Sequence, residues 1–311
     1  MLTKAKIKDL EKQGYRMAGS HSCIKVCLWA KKAIRNEDVC YKHQFYGIKS
    51  WQCIQMTPSF VCSHRCLFCW RDIDFSPSKW SFPIDDPKAI IDGCIKEHTR
   101  YLRGFGGNPK TDKKKYTEAM KPSHFAISLC GEPTLYSKLP ELIVEIKSRK
   151  MTSFLVTNGT NPEMLKELLN HQPTQLYITL PAPNKETYKK ACNPLIKDGW
   201  EKIQKSLKLM SKFKRNTIRL TLVKNLNMFH PEQYAEIIKA AKPKFVEVKA
   251  FMAVGYAQYR MEYTDMPRHN EIMEFSKQLA KHSGYKIVDE KKESRVILLM
   301  KKDSKDRKLK V

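Results

Sequence analysis

Three thiols stand within eight residues in Cys62-Ser-His-Arg-Cys66-Leu-Phe-Cys69. Thiolates at this spacing can wrap one loop around a corner of a [4Fe–4S] cube, since soft sulfur suits iron–sulfur clusters. Three ligands for four irons leave one iron open to a small chelating ligand. Zinc is the competing occupant, with His64 or Cys53 as fourth ligand. Structural zinc ligands usually come as two CxxC-like pairs, and no second pair follows here. The spacing therefore favours the cluster over zinc.

The loop needs a rigid support, and the pattern around it supplies one. Short β-branched or aromatic runs at 51–56, 124–129, 153–157, 175–180, 217–223 and 245–251 alternate with helical stretches near 86–103, 139–150, 161–170, 198–213 and 231–241. Six strands, most followed by a helix, predict parallel βα units. Right-handed crossovers roll such a series into a partial (βα)6 barrel of TIM type, an α/β fold with its site at the C-terminal strand ends. The cysteine loop leaves the first of these strands. Cys130-Gly131-Glu132-Pro133-Thr134 leaves the second and Thr157-Asn158-Gly159-Thr160 the third; Thr179 ends the fourth and Arg219 lies in the fifth. Each turn is ordinary alone, but their order around one barrel mouth makes them candidates to line one site.

Residues 1–50 read as a helical, basic extension, with a helix from Lys4 to Gly14 after a Thr3 cap and a second from Cys23 to Arg35. Residues 51–300 form the barrel with a further helix (268–282) and a hairpin (285–289 with 295–300), and 301–311 reads as a mobile basic tail. The chain carries 58 Lys+Arg against 32 Asp+Glu, a net charge of +26. So large an excess without matching Glu points to a polyanionic partner, with nucleic acid favoured over membrane. No apolar run of transmembrane length and no apolar signal core occur, so a cytoplasmic location is expected. Ten cysteines in such a protein are poor candidates for a disulfide framework. Cys94, Cys130 and Cys192 read as packing residues.

With Phe68 just before its last cysteine, the CxxxCxxC loop resembles the signature of radical S-adenosylmethionine (SAM) enzymes. That resemblance implies a [4Fe–4S] cluster on Cys62, Cys66 and Cys69 whose open iron chelates SAM, and reductive cleavage to a 5′-deoxyadenosyl radical. It also implies SAM contacts from Gly131, Glu132, Thr134, Asn158 and Thr179. CLWAKKAIR, CYKHQFYGI, CLFCWRD, SLCGEPTLY, LYITLPAPN, RLTLVKN and VEVKAFMAVG together are similar to one branch, the tRNA 4-demethylwyosine synthases. Cys27, Cys40 and Cys53 stand 13 and 13 residues apart. The branch resemblance makes them ligands of a second [4Fe–4S] cluster, although Cys23, four residues before Cys27, could replace it from the same helical face. The same resemblance implies conversion of N1-methylguanosine, 3′ of the anticodon in tRNA(Phe), to 4-demethylwyosine with pyruvate as two-carbon donor. Lys42 would then form a Schiff base with the pyruvate ketone or balance its charge. A monomer with a separate electron-donor protein is expected, since the chain has no room for a flavodoxin-like domain. The alternatives are another radical SAM enzyme or a zinc-stabilised RNA-binding protein.

Overall fold

A computed structural model describes residues 2–310. Ten strands form one sheet: β1 (Tyr15–Met17), β2 (Cys23–Lys25), β3 (Cys53–Thr57), β4 (His124–Ile127), β5 (Thr152–Thr157), β6 (Gln175–Thr179), β7 (Asn216–Leu222), β8 (Phe245–Ala250), β9 (Lys286–Lys291) and β10 (Val296–Met300). Their order is β1-β2-β3-β4-β5-β6-β7-β8-β10-β9. From β3 to β8 every pairing is parallel, and the antiparallel β1–β2 and β9–β10 pairs flank this set. This is the six-unit α/β barrel core that the alternating pattern predicts.

Side-chain alternation along the strands sorts residues between two cores, because neighbours on a strand point to opposite faces. Ile54 and Met56, Leu155, Leu176 and Ile178, Ile218 and Leu220, Val246 and Val248, and Ile297 and Leu299 pack outward against the helices. Phe154, Tyr177, Phe245, Val296, Leu298 and Met300 pack inward, with Cys53 partly buried against them. The inner core is completed by Tyr41, Phe45, Tyr46 and Ile48, so the helix Tyr41–Tyr46 and the residues after it plug the barrel. The same parity turns Arg219 and Glu247 inward. Outer helices follow the amphipathic rule: Pro87–Leu102 starts at an Asp86 cap and buries Ile90, Ile91, Cys94, His98 and Leu102.

The N-terminal segment departs from expectation. The helix expected from Cys23 to Arg35 is a strand at Cys23–Lys25 followed by a helix at Leu28–Ile34. Cys23, Ile24 and Val26 are buried, and β2 continues the sheet by pairing with β3. Sheet pairing thus overrides the helical pattern of a short run. The tail expected to be mobile is tied down. Leu309 donates its backbone N–H to Tyr46 O at 2.8 Å, Arg307 pairs with Asp289 at 2.7 Å, and Arg215 donates to Asp306 O and Arg307 O at 2.6 and 2.8 Å. Among the described residues, no helix is long and apolar enough to cross a membrane.

Candidate active site

The cysteine loop is pinned through its backbone while its thiols stay available. Arg65 N–H donates to Cys192 O at 2.9 Å, Leu67 N–H to Ala191 O at 3.0 Å, and Leu195 N–H to Ser63 O at 2.9 Å. Arg260, from the segment after β8, donates to Leu67 O at 3.3 Å and also to Cys69 O. Burial first, then mutual repulsion, pushes the Cys62 and Cys69 thiols up, Cys69 to about 11. Sulfur from Cys66 meets sulfur from Cys192, and both lie with a His64 nitrogen inside one 4.8 Å circle. That is the nearest approach to a zinc site, yet it leaves out Cys62 and Cys69. His64 Nε2 is engaged by Tyr188 Oη at 2.8 Å, and burial pushes the imidazole down to about 4. Cys192 is therefore more than a packing residue, since it faces the loop.

The turns after β4 and β5 brace this loop. Gly131 has φ +62°, and a Cβ there would overlap Ser59 O, so no side chain fits where the second turn crosses the start of the cysteine loop. Glu132 is 2% exposed. Its Oε1 accepts from Thr134 N–H at 3.1 Å, Thr134 Oγ1 at 2.7 Å and Thr157 Oγ1 at 2.6 Å, while Oε2 accepts from Asn158 N–H at 2.7 Å. Asn158 reaches Ser63 Oγ at 3.1 Å through Nδ2. The carboxylate thus ties two turns together, and through Asn158 to the residue after Cys62. Thr179 ends β6, partly exposed, with no side-chain hydrogen bond among the described residues. Glu132→Gln has a predictable cost. Either amide orientation turns an NH2 toward a donor; the cheaper one opposes Asn158 N–H and loses one charge-assisted bond, about 2 kcal/mol. A lower urea midpoint at unchanged m-value checks this.

A second group of thiols lies where Cys40 and Cys53 pack against the inner core and Cys27 against a separate cluster around Val26 and Ala30. Cys27 caps the helix Leu28–Ile34, Cys40 precedes Tyr41–Tyr46, and Cys53 opens β3. Burial pushes all three thiols up, Cys40 to about 11; Cys27 and Cys53 each feel Lys42, and Cys40 feels Cys27 and Lys42. Cys23 is elsewhere: its thiol meets that of Cys130 beside Arg71. Position on the tertiary fold, which spacing does not reveal, separates Cys23 from Cys27.

Lys42 is 7% exposed, with Nζ 5.0 Å from the Phe154 ring centre and 4.9 Å from that of Tyr177. Burial, then the Arg219 charge, holds its amine below the usual range. Arg219 donates to Glu247 Oε2 at 3.2 Å and to Tyr41 Oη at 2.7 Å, and Tyr46 Oη donates to Glu247 Oε1 at 2.7 Å. Lys249, also pushed down by burial and then by Arg219, to about 8, donates to Ser294 O at 2.7 Å. The inner core thus sets a buried amine near Arg219 and Glu247, with Lys249 close to Arg219, an arrangement suited to carbonyl chemistry. Sequence reasoning missed Glu247, Lys249 and Arg260, whose residue types carry no local signal, and Arg71, whose place two residues after Cys69 is one.

Residues 117–242 match the family described as Radical SAM superfamily, and residues 240–301 match Wyosine base formation. An S-adenosyl-L-methionine-dependent tRNA 4-demethylwyosine synthase from Pyrococcus abyssi is 48% identical over 298 residues, covering 94% of this chain and 87% of that protein. The chain belongs to the tRNA 4-demethylwyosine synthase family. It is a radical SAM enzyme. A solved structure of TYW1 with a lysine-pyruvate adduct bound superposes at TM-score 0.90 with 35% identity, covering 99% of this chain and 100% of that one. Archaeal TYW1 superposes at 0.82 with 32% identity and the same coverages. Membership of the radical SAM tRNA 4-demethylwyosine synthases implies SAM and a [4Fe–4S] cluster, and the residues fit that group. Arg71 is 5% exposed, its Nε and one Nη have no partner among the described residues, and the groups around it are Tyr15, the thiols of Cys23, Cys69 and Cys130, and a second cation, Lys25. A buried cation without a counter-anion is costly. An anionic cluster on the neighbouring thiolates would supply that charge.

Proposed function

We propose that the chain converts N1-methylguanosine, 3′ of the anticodon in tRNA(Phe), to 4-demethylwyosine, with pyruvate as the two-carbon donor. The observation that carries this reading is Lys42: a buried amine held over two aromatic rings, beside the thiols of Cys27, Cys40 and Cys53. The solved TYW1 relative has a lysine-pyruvate adduct bound, which supports a lysine in this role. Cys62, Cys66 and Cys69 would hold a [4Fe–4S] cluster, which with SAM would supply the radical chemistry that activates the N-methyl group. Gly131, Glu132, Thr134, Asn158 and Thr179 would contact SAM, Glu132 by holding the two turns together. Cys27, Cys40 and Cys53 would hold a second [4Fe–4S] cluster, which would offer a binding site to pyruvate. The Lys42 amine, its pKa lowered by burial and by Arg219, attacks the pyruvate ketone carbon in its neutral form and water leaves as the imine forms. Arg219 and Lys249 offer positive charge to the pyruvate carboxylate.

In this reading residues 1–50 carry the second-cluster ligands Cys27 and Cys40, 51–300 form the barrel, which adds Cys53, and 301–311 are a basic tail. The enzyme works as a monomer with a separate electron-donor protein. The +26 charge serves the tRNA, because each phosphate neutralised by Lys or Arg releases counterions. The test is an anaerobic incubation of reconstituted enzyme with reductant, SAM, carbon-13 pyruvate and tRNA(Phe) carrying N1-methylguanosine. The expected result is a tricyclic base containing two labelled carbons from uniformly labelled pyruvate. Unlabelled or unmodified base, alongside deoxyadenosine formation, would point to a radical SAM enzyme with another substrate.

A further inference from the structure

We infer that Tyr259 and Tyr263 form a stacking platform at the barrel mouth for unpaired bases of an RNA loop. This rests on the RNA substrate proposed above and names the side chains that hold it. The segment 251–268 follows β8 and so lies at the same end of the barrel as the cysteine loop. It is built rigidly onto that loop. Tyr256 N–H donates to Trp70 O at 3.1 Å, and Arg260 reaches the carbonyls of Leu67 and Cys69. Gly255 has φ +57°, and a Cβ there would lie only 2.5 Å from Trp70 O, so the crossing is close enough to require glycine. Ala257 and Met266 are buried with Val223 and Phe251 in a small core of their own.

On this fixed support two large aromatics point outward. Tyr259 is 76% exposed and Tyr263 75% exposed, and neither phenol has a hydrogen-bond partner among the described residues. The Tyr256 ring packs edge-on to Tyr259 at 5.8 Å, which steadies that ring without covering it. Folding gains nothing from either exposed ring, since an exposed tyrosine forgoes the burial that makes aromatics stabilising. Phe229, at 38% exposed, adds a third apolar side chain in the segment after β7, at the same end of the barrel.

Charge decides the occupant. The helix Lys4–Lys12 adjoins the platform through Gln13, whose Nε2 donates to Tyr256 Oη at 3.4 Å, and its Lys4, Lys8 and Lys12 are exposed. Of the segment's two carboxylates, Asp265 accepts from Asn225 Nδ2 and from Glu262 N–H, both at 3.0 Å, and Glu262 is exposed beside Tyr263, so Lys4, Lys8 and Lys12 stand against the exposed Glu11 and Glu262. Aromatic faces flanked by lysines fit single-stranded nucleic acid: rings accept any base, and cations accept the phosphates. A nucleotide drawn into the barrel must leave its stack, so its neighbours lose a stacking partner that a tyrosine ring can replace.

The experiment measures binding of holoenzyme to a fluorescent anticodon stem-loop of tRNA(Phe) over a salt series, for wild type, Tyr259→Ala/Tyr263→Ala and Tyr259→Phe/Tyr263→Phe. The alanine pair should lose roughly tenfold in affinity per ring at every salt concentration, with the slope against log salt unchanged, because no phosphate contact is removed. The phenylalanine pair should bind like wild type. Thermal melting shows whether each variant is folded, which exposed positions favour. Wild-type affinity in the alanine pair would overturn the platform while leaving the RNA substrate standing. Equal losses in the Ala and Phe pairs would overturn stacking in favour of the hydroxyls. A wild-type enzyme that does not bind the stem-loop would overturn both the platform and the tRNA reading.

Discussion

Replacing any one of Cys62, Cys66 and Cys69 by alanine is expected to abolish reductive cleavage of SAM and leave the fold standing. The three thiols share one loop after β3, and the same loop is held through backbone bonds to Cys192, Ala191 and Pro77 that no side-chain truncation removes. Each of the three residues is only partly buried, so the packing lost is small, at most about 1 kcal/mol. The chemistry lost is total, because two thiolates do not hold a cube. Cys192, beside Cys66, is the one neighbouring thiol placed to stand in for a lost ligand. A double variant, Cys66→Ala with Cys192→Ala, therefore separates loss of a ligand from its substitution by a neighbour. Cys94→Ala serves as the opposite control. Its thiol is wholly buried in the outer core, so it should lower stability by about 1 kcal/mol and leave deoxyadenosine formation intact. Chromatography of deoxyadenosine under anaerobic reduction, iron analysis and circular dichroism give the three readouts. Undiminished cleavage in Cys62→Ala, in Cys69→Ala or in the Cys66→Ala/Cys192→Ala double variant would refute the cluster assignment.

The second large effect divides the barrel into two functions. Cys40→Ala should retain about half the iron, as expected for two equal four-iron clusters reduced to one, and should still form deoxyadenosine, yet yield no tricyclic base. Lys42→Met should retain all the iron and lower product by on the order of a thousandfold, if the imine is obligatory. Its stability should move the other way. Lys42 is a buried amine beside Arg219 with no hydrogen-bond partner among the described residues, and replacing such a polar group by an apolar chain of similar length raises stability by about 1–2 kcal/mol. Borohydride trapping with labelled pyruvate, read by peptide mass, distinguishes covalent chemistry from charge balance: label on the peptide carrying Lys42 in wild type and none in the variant. A Cys40→Ala protein with full iron and normal product would make Cys27, Cys40 and Cys53 plain core thiols. Loss of stability in Lys42→Met, with product preserved, would reduce Lys42 to a packing residue.

Local information in the chain was enough for the parts of this protein that are local. Six strand runs, their helices and the turns at their ends follow from period-two and helical patterns read over short windows. The cysteine loop and its likeness to radical SAM enzymes follow from eight consecutive residues. Tertiary structure decided what depends on residues far apart in sequence. Cys23 and Cys27 share a spacing argument, yet β2 carries Cys23 to Cys130 while Cys27, beyond the strand, turns toward Cys40 and Cys53. Glu132 reads as a ligand-binding acid in a turn, but four donors from Thr134, Thr157 and Asn158 occupy its carboxylate. Arg219 reads as one polar residue in a strand, and only the barrel's curvature sets it against Glu247, Tyr41 and Lys42. The basic tail reads as free, and Asp289 with the Tyr46 carbonyl holds it down. In each case the deciding contact joins separate segments of chain, and its energy exists only once the barrel has brought them together.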